Sequence, residues 1–153
     1  MDTSDFRERW ENEWSSTEEG AVRAFLIGVI EYLEDPAEGG RMVAMTLPDH
    51  YLREDGSPGR DAFLEYFANN GGNAAKSYLG GSPENGYSYS YDHPIEVLEQ
   101  SERGETESKI FIQSGGKDLP SPVHLRRNAK GVWKLFNVSS LATGVRRADS
   151  GDF

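Results

Sequence analysis

The hydrophobic period of this chain changes once, near residue 72, and that single change limits the folds open to it. Val22, Phe25, Leu26, Val29, Ile30 and Leu33 fall at i, i+3, i+4, i+7, i+8 and i+11, the spacing of a helix with one face against a core. After residue 72 the period becomes two. Tyr87, Tyr89 and Tyr91 alternate with Ser88, Ser90 and Asp92, and residues 95–98, 109–113, 123–126 and 132–138 read as further short strands. The connections between them are short, polar and glycine-containing, which predicts hairpins and an antiparallel meander. Helices written ahead of such a sheet predict an α+β fold, with the N-terminal helices packed on a C-terminal antiparallel meander sheet.

Start and stop signals divide the helical part. Ser16 and Glu19 form a capping-box pair ahead of the amphipathic run. Asp35 followed by Pro36 and Glu38 predicts a second start, with a helix running to about Leu47. Gly39 and Gly40 each weaken that helix by about 1 kcal/mol relative to Ala. Either packing by Met42, Val43 and Met45 holds it, or the glycines admit another backbone; packing is the preferred reading. Ser57-Pro58-Gly59-Arg60-Asp61 predicts a third helix through Phe63, Leu64, Tyr66 and Phe67, closed by Asn69-Asn70-Gly71-Gly72. Upstream, Phe6, Trp10 and Trp14 recur every four residues and share one stripe of a short helix. That stripe either docks on its own domain, the preferred reading, or fills a partner's groove. The predicted organisation is an N-terminal helical or mobile segment at 1–15, one α+β domain at 16–145 and a frayed tail at 146–153.

A chain of 153 residues with seven Phe, seven Tyr and three Trp can bury one core without staples. It has no cysteine, so disulfides, thiolate metal sites and a cysteine nucleophile are excluded. The N-terminal stretch lacks a basic start followed by an apolar run, and no window of about 18 apolar residues occurs, so the expected setting is cytoplasmic, with no membrane partner. The net charge of −10 opposes phosphate backbones and predicts no nucleic-acid partner. The charge is uneven: 11 acids to 3 bases over residues 1–40, 9 to 4 over 41–100, and 6 to 9 over 101–153. The basic cluster Arg126, Arg127, Lys130 and Lys134 sits at a predicted hairpin end and reads as solvated.

Few residues carry a chemical signature. Asp49-His50 and Asp92-His93 pair an acid with an imidazole, but sequence neighbours on extended chain point to opposite faces. His50 or His93 could act as a general base only with a carboxylate brought from elsewhere in the fold; the other reading is an ordinary surface or turn histidine. No metal-ligand spacing, nucleophile elbow or phosphate loop occurs, so neither a metal nor a cofactor is expected. The most unusual stretch is 77–94, where Tyr78, Tyr87, Tyr89 and Tyr91 surround a Gly-Gly-Ser-Pro-Glu-Asn-Gly loop. Tyrosines offer apolar area with a hydroxyl handle, which suits recognition of a peptide or small ligand. The binding candidates are therefore Tyr78, Glu84, Asn85, Tyr87, Tyr89 and His93, with packing over a helix as the other reading of the tyrosines.

Two stretches also carry a resemblance. Ser77, Tyr78, Pro83, Glu84, Asn85 and Tyr87, then Ser114, Gly115, Gly116, Asp118, Pro122, Leu125, Arg126 and finally Trp133, resemble a family of small bacterial proteins defined by a domain of unknown function. The similarity would cover most of residues 18–147 and implies membership without an activity. The order of leading helices, a Gly-Arg-Asp-Ala-Phe-Leu stretch and a sheet ending near Trp133 is also similar to the nuclear-transport-factor-2-like cone, a fold that hosts lyases, isomerases and binding domains alike. Its enzymes use a pocket Asp, His or Tyr for proton transfer, for which this resemblance implies Asp49, His50 and Tyr51, with Tyr89, as the catalytic candidates. Two functions follow as expectations. The first is a binding module that presents the 77–93 loop and strand to a protein or peptide; the alternative is a small-molecule enzyme of lyase or isomerase type with a pocket between helices and sheet. The sequence sets no oligomeric state.

Overall fold

The computed structural model describes residues 1–148; 149–153, the end of the predicted tail, lie outside the described residues. The fold is α+β. Helices α1 (Thr3–Asn12), α2 (Glu18–Glu34) and α3 (Pro36–Met45) come first, two short helices α4 (Leu64–Phe67) and α5 (Asn73–Lys76) follow, and the sheet comes last. Its strands are β1 (Glu102–Arg103), β2 (Glu107–Ile112), β3 (Ser121–Arg127) and β4 (Trp133–Asn137), in the order β1-β2-β3-β4 with every pair antiparallel. The predicted meander is therefore present.

Side-chain alternation explains which face of the sheet is covered. Ser108, Ile110 and Ile112 of β2, Ser121, Val123 and Leu125 of β3, and Trp133 and Leu135 of β4 are buried. They meet α2, whose Val22, Phe25, Leu26, Val29 and Ile30 are buried as their spacing predicts. Ala24 and Ile27 on the other side of α2 are buried too, because α2 is the central helix, packed against α1 and α3 as well as β4. The interface of helices and sheet, where the enzyme reading places its pocket, is occupied by these side chains. The outer edge of β4 is closed by the Leu135 N–H donating to Thr46 O at 3.0 Å, at the end of α3.

The aromatic stripe belongs to this core. Phe6, Trp10 and Trp14 are buried, Phe6 and Trp14 meet edge to face at 5.2 Å between ring centroids, and the Arg9 guanidinium covers Trp14 at 4.4 Å. The stripe docks at home and is not free for a partner's groove.

Four expectations need correction. The cap of α2 is Thr17, whose Oγ1 accepts the Gly20 N–H at 2.9 Å, and not Ser16, whose hydroxyl donates to Glu13 O at 2.6 Å. Glu19 cannot reach back to a cap because Arg103 of β1 holds it at 2.8 Å, with Glu18 on the same guanidinium at 3.3 Å. In α3, close approach rather than packing alone explains Gly39: a Cβ there would overlap the Tyr32 backbone of α2. The third predicted helix is broken. A 3-10 turn at Arg60–Ala62 is followed by Phe63 with φ +59°, which starts α4 in a new direction while Ala62, Leu64 and Phe67 stay buried.

The fourth correction concerns the tyrosines, whose alternation is not strand writing. Gly86 and Tyr87 are both left-handed, φ +67° and +58°, and turn the chain away from the sheet. The Tyr87 hydroxyl donates to Arg146 O and the Tyr91 hydroxyl to Glu31 Oε1 at 2.9 Å. The Arg23 guanidinium donates to Tyr91 O. Two of these bonds go to α2 and one to the chain after β4, none to a neighbouring strand, and no ladder forms. Residues 95–98 make only a partial edge beside β2, through one bridge, Val97 with Ile112, and the Leu98 N–H on Phe111 O at 2.9 Å.

Candidate functional site

Two of the six predicted recognition residues, Tyr78 and Tyr87, join a polar knot built around Ser77 and Ser114. Ser77 and Ser114, both buried, join through their hydroxyls at 2.7 Å. The Gly116 N–H donates to Ser114 Oγ at 2.9 Å, and the Gly115 N–H donates to Ser77 O at 2.8 Å. A Cβ at Gly115 would overlap Gly81 O, and one at Gly116 would lie 2.8 Å from the Tyr87 hydroxyl. Tyr78 and Tyr87 are each 2% exposed, and the Tyr78 hydroxyl shares a 2.7 Å hydrogen bond with Ser121 Oγ. Burial raises the Tyr78 phenol well above its ordinary range. Lys117 closes the knot, its half-buried ammonium donating to Ser140 O at 2.9 Å and Thr143 Oγ1 at 2.5 Å; burial lowers its pKa. Every member has a partner inside the protein, the mark of a network that rigidifies a core.

The remaining candidates lie at the surface. Asn85 Oδ1 accepts the Ser82 and Ser88 N–H groups and its Nδ2 donates to Gly80 O at 2.9 Å, so its side chain shapes the 82–88 turn. Glu84 is exposed beside it. His93 is exposed, its ring against Gly80 and its Nδ1 on Pro94 O at 2.9 Å. Tyr89, 39% exposed, is the one surface tyrosine of the expected set, and Lys76 covers it at 5.4 Å. Asp49 and His50 are exposed on a 3-10 turn. The His50 ring stacks on Tyr51 at 4.3 Å between centroids and lies 5.6 Å from that of Phe136, while the Tyr51 hydroxyl donates to Phe136 O. His50 and Tyr51 anchor the turn to β4. Among the described residues no three His, Asp or Glu side chains gather as a metal ion requires.

A large concavity lies elsewhere. A groove of about 1090 Å³ runs between α3 and the 53–66 segment, floored by Gly40, Pro58 and Leu64. Arg41 of α3, Arg53 and Arg60 line it, with Tyr32, Phe63 and Tyr66. Of the four bases in residues 41–100, three stand here. None of the three guanidiniums makes an ion pair among the described residues, in a chain of 26 acids to 16 bases. Tyr66 is 59% exposed, and its ring meets that of Phe63 at 5.6 Å and 54°.

The wall that carries these groups is held rigidly. Leu52 and Pro58 form a bridge, the Arg53 N–H donates to Ser57 O at 2.8 Å, and the Gly59 N–H to Tyr51 O at 2.8 Å. The tip turns at Gly56, φ +85°, where the Asp55 carboxylate accepts from the Ser57 hydroxyl at 2.6 Å and its N–H at 2.9 Å. These bonds hold the Asp55 carboxyl below its usual range. A left-handed Phe63 costs of order 1 kcal/mol, strain that tends to persist at binding sites. Sequence reasoning missed this groove because its arginines come from three separate elements; the enrichment of Arg among the few bases of 41–100 was the one available signal.

No helix is long and apolar enough to cross a membrane among the described residues. Comparison with curated proteins and with solved structures gives no match. Residues 2–149 match the family described as Domain of unknown function (DUF6935), and with that extent covered the chain belongs to this family.

Proposed function

We propose that the protein is an interaction module, and that the groove between α3 and residues 53–66 grips a segment of a partner polypeptide. One observation carries this reading: three unpaired arginines and an exposed Tyr66 line one large groove with a rigid wall. Arg and Tyr dominate the binding energy of protein interfaces, Arg through its planar fork and Tyr through area at low entropic cost. At about 1090 Å³ the groove is at the upper end of small-molecule pockets, room enough for an extended chain. The Tyr-rich loop supports binding less well, because Tyr78 and Tyr87 are spent inside. A bacterial cytoplasmic setting suits a chain without cysteine.

The test is selection from a displayed library of random dodecapeptides against the full chain, repeated against Tyr66→Ala. Clones that bind the native chain and are lost on the variant support the reading. A selection that yields no clones, or clones indifferent to Tyr66→Ala, contradicts it.

A further inference from the structure

We infer that the segment the groove takes is acidic, with Asp or Glu side chains engaging Arg41, Arg53 and Arg60 and an aromatic or long aliphatic side chain seated on Tyr66 and Phe63. This rests on the proposed reading of the groove and adds the chemistry of its occupant. The argument is one of charge complementarity. Elsewhere four guanidiniums find an acid, Arg103 with Glu18 and Glu19, Arg9 with Glu13, Arg126 with Glu107 and Arg146 with Asp118. Arg7 and Arg127 make no ion pair among the described residues; the groove is distinct in placing three such guanidiniums on one concavity. In the groove none of the three lies within ion-pair distance of a carboxylate, although nine acids share residues 41–100 with them and the Arg53 charge acts on Asp55 from farther off. A guanidinium fork matches a carboxylate by two parallel hydrogen bonds, and its planar face also stacks on rings such as Tyr66.

The same lining argues against a dense polyanion. Asp55, Asp61 and Glu65 stand on the groove beside the arginines. Asp55 is occupied by Ser57, but its charge remains, so the lining carries both signs. Polyphosphate would bring several negative charges against these carboxylates at once. A peptide can place single carboxylates at the guanidiniums and leave neutral or basic residues opposite Asp61 and Glu65.

The composition of groove-dependent clones tests this. Against the native chain, clones lost on Tyr66→Ala should be enriched in Asp and Glu and depleted in Lys and Arg. Against Arg41→Gln/Arg53→Gln/Arg60→Gln the acidic enrichment should vanish, and affinity for an acidic clone should fall by roughly tenfold or more. All three side chains are exposed, so the melting temperature of the variant should match that of the native chain. If the triple variant does not fold, the single change Arg53→Glu gives the same readout. Groove-dependent clones without acidic bias, or with a bias that survives the triple variant, overturn the inference and leave the proposed function standing. Displacement of an acidic clone by inorganic pyrophosphate at lower concentration than by its own peptide also overturns it, in favour of a polyanion. A library that gives no Tyr66-dependent clones overturns both.

Discussion

At the scale of single residues, the tyrosines show how one side chain can look like a recognition element and act as a fastener. Tyr78 brings an apolar ring into the core and needs one partner for its hydroxyl, which Ser121 supplies. Tyr78→Phe removes that bond while Ser121 keeps Ser140 O at 3.3 Å, so the expected loss is about 1 kcal/mol, read from urea unfolding. The phenols also set an alkaline limit. Burial first raises Tyr91, and the hydrogen bond and charge of Glu31 raise it further; burial raises Tyr78. Their folded values stand above the ordinary value of 10.0, so the stability they contribute is complete below pH 10 and is lost as pH rises, when the unfolded chain releases protons the folded chain keeps. Lys117 opposes this with a folded value below 10.5, but burial raises Tyr51, Tyr87 and Tyr89 as well, so one lysine stands against five phenols. Urea midpoints measured from pH 8 to pH 11.5 should therefore fall above pH 10, and fall less steeply in Tyr78→Phe. A midpoint that stays level would contradict these assignments.

At the scale of elements, the helix pair α2 and α3 depends on an absent side chain. A methyl group at Gly39 would overlap the Tyr32 backbone, so Gly39→Ala should lower stability by ~2 kcal/mol despite the gain of about 1 kcal/mol that Ala brings to an isolated helix. A stabilised variant in thermal melts would show that α3 does not approach so closely. The segment α1 with its following turn is likewise part of the core rather than an appendage. Trp14→Ala should cost about 3–5 kcal/mol in chemical denaturation, the range for a buried aromatic. These elements also show what periodicity can reveal. The stripe of α2 and the strands β2, β3 and β4 were legible because each has one unbroken run of spacing, even though α2 is buried beyond its predicted stripe. The break at Phe63 was not, because a left-handed residue there is set by the packing of Ala62, Leu64 and Phe67 around it and not by its own preference. The tyrosine alternation misled for a related reason: Tyr87 is left-handed and buried while Tyr89 is exposed, and the hydroxyls of Tyr87 and Tyr91 found Arg146 O and Glu31 instead of a ladder.

For the whole molecule, the division between core and site runs opposite to the motif content of the sequence. The Ser77–Tyr87 and Ser114–Asp118 stretches, which carry the family resemblance, build the interior knot. The groove uses Arg41, Arg53, Arg60 and Tyr66, which carry no motif and meet only once α3, the 52–58 clip and the turn before α4 are folded. Its location was therefore beyond reach of spacing arguments, which see only neighbours along the chain. The central claim is that recognition happens at this groove and not at the 77–93 loop. The most direct test is a titration of the full ¹⁵N-labelled chain with an acidic peptide from the library, followed by amide shifts. The account predicts shifts concentrated in residues 37–41 and 53–66, with Tyr89, His93 and the sheet unmoved. Shifts centred on 84–93 with a silent groove would contradict it.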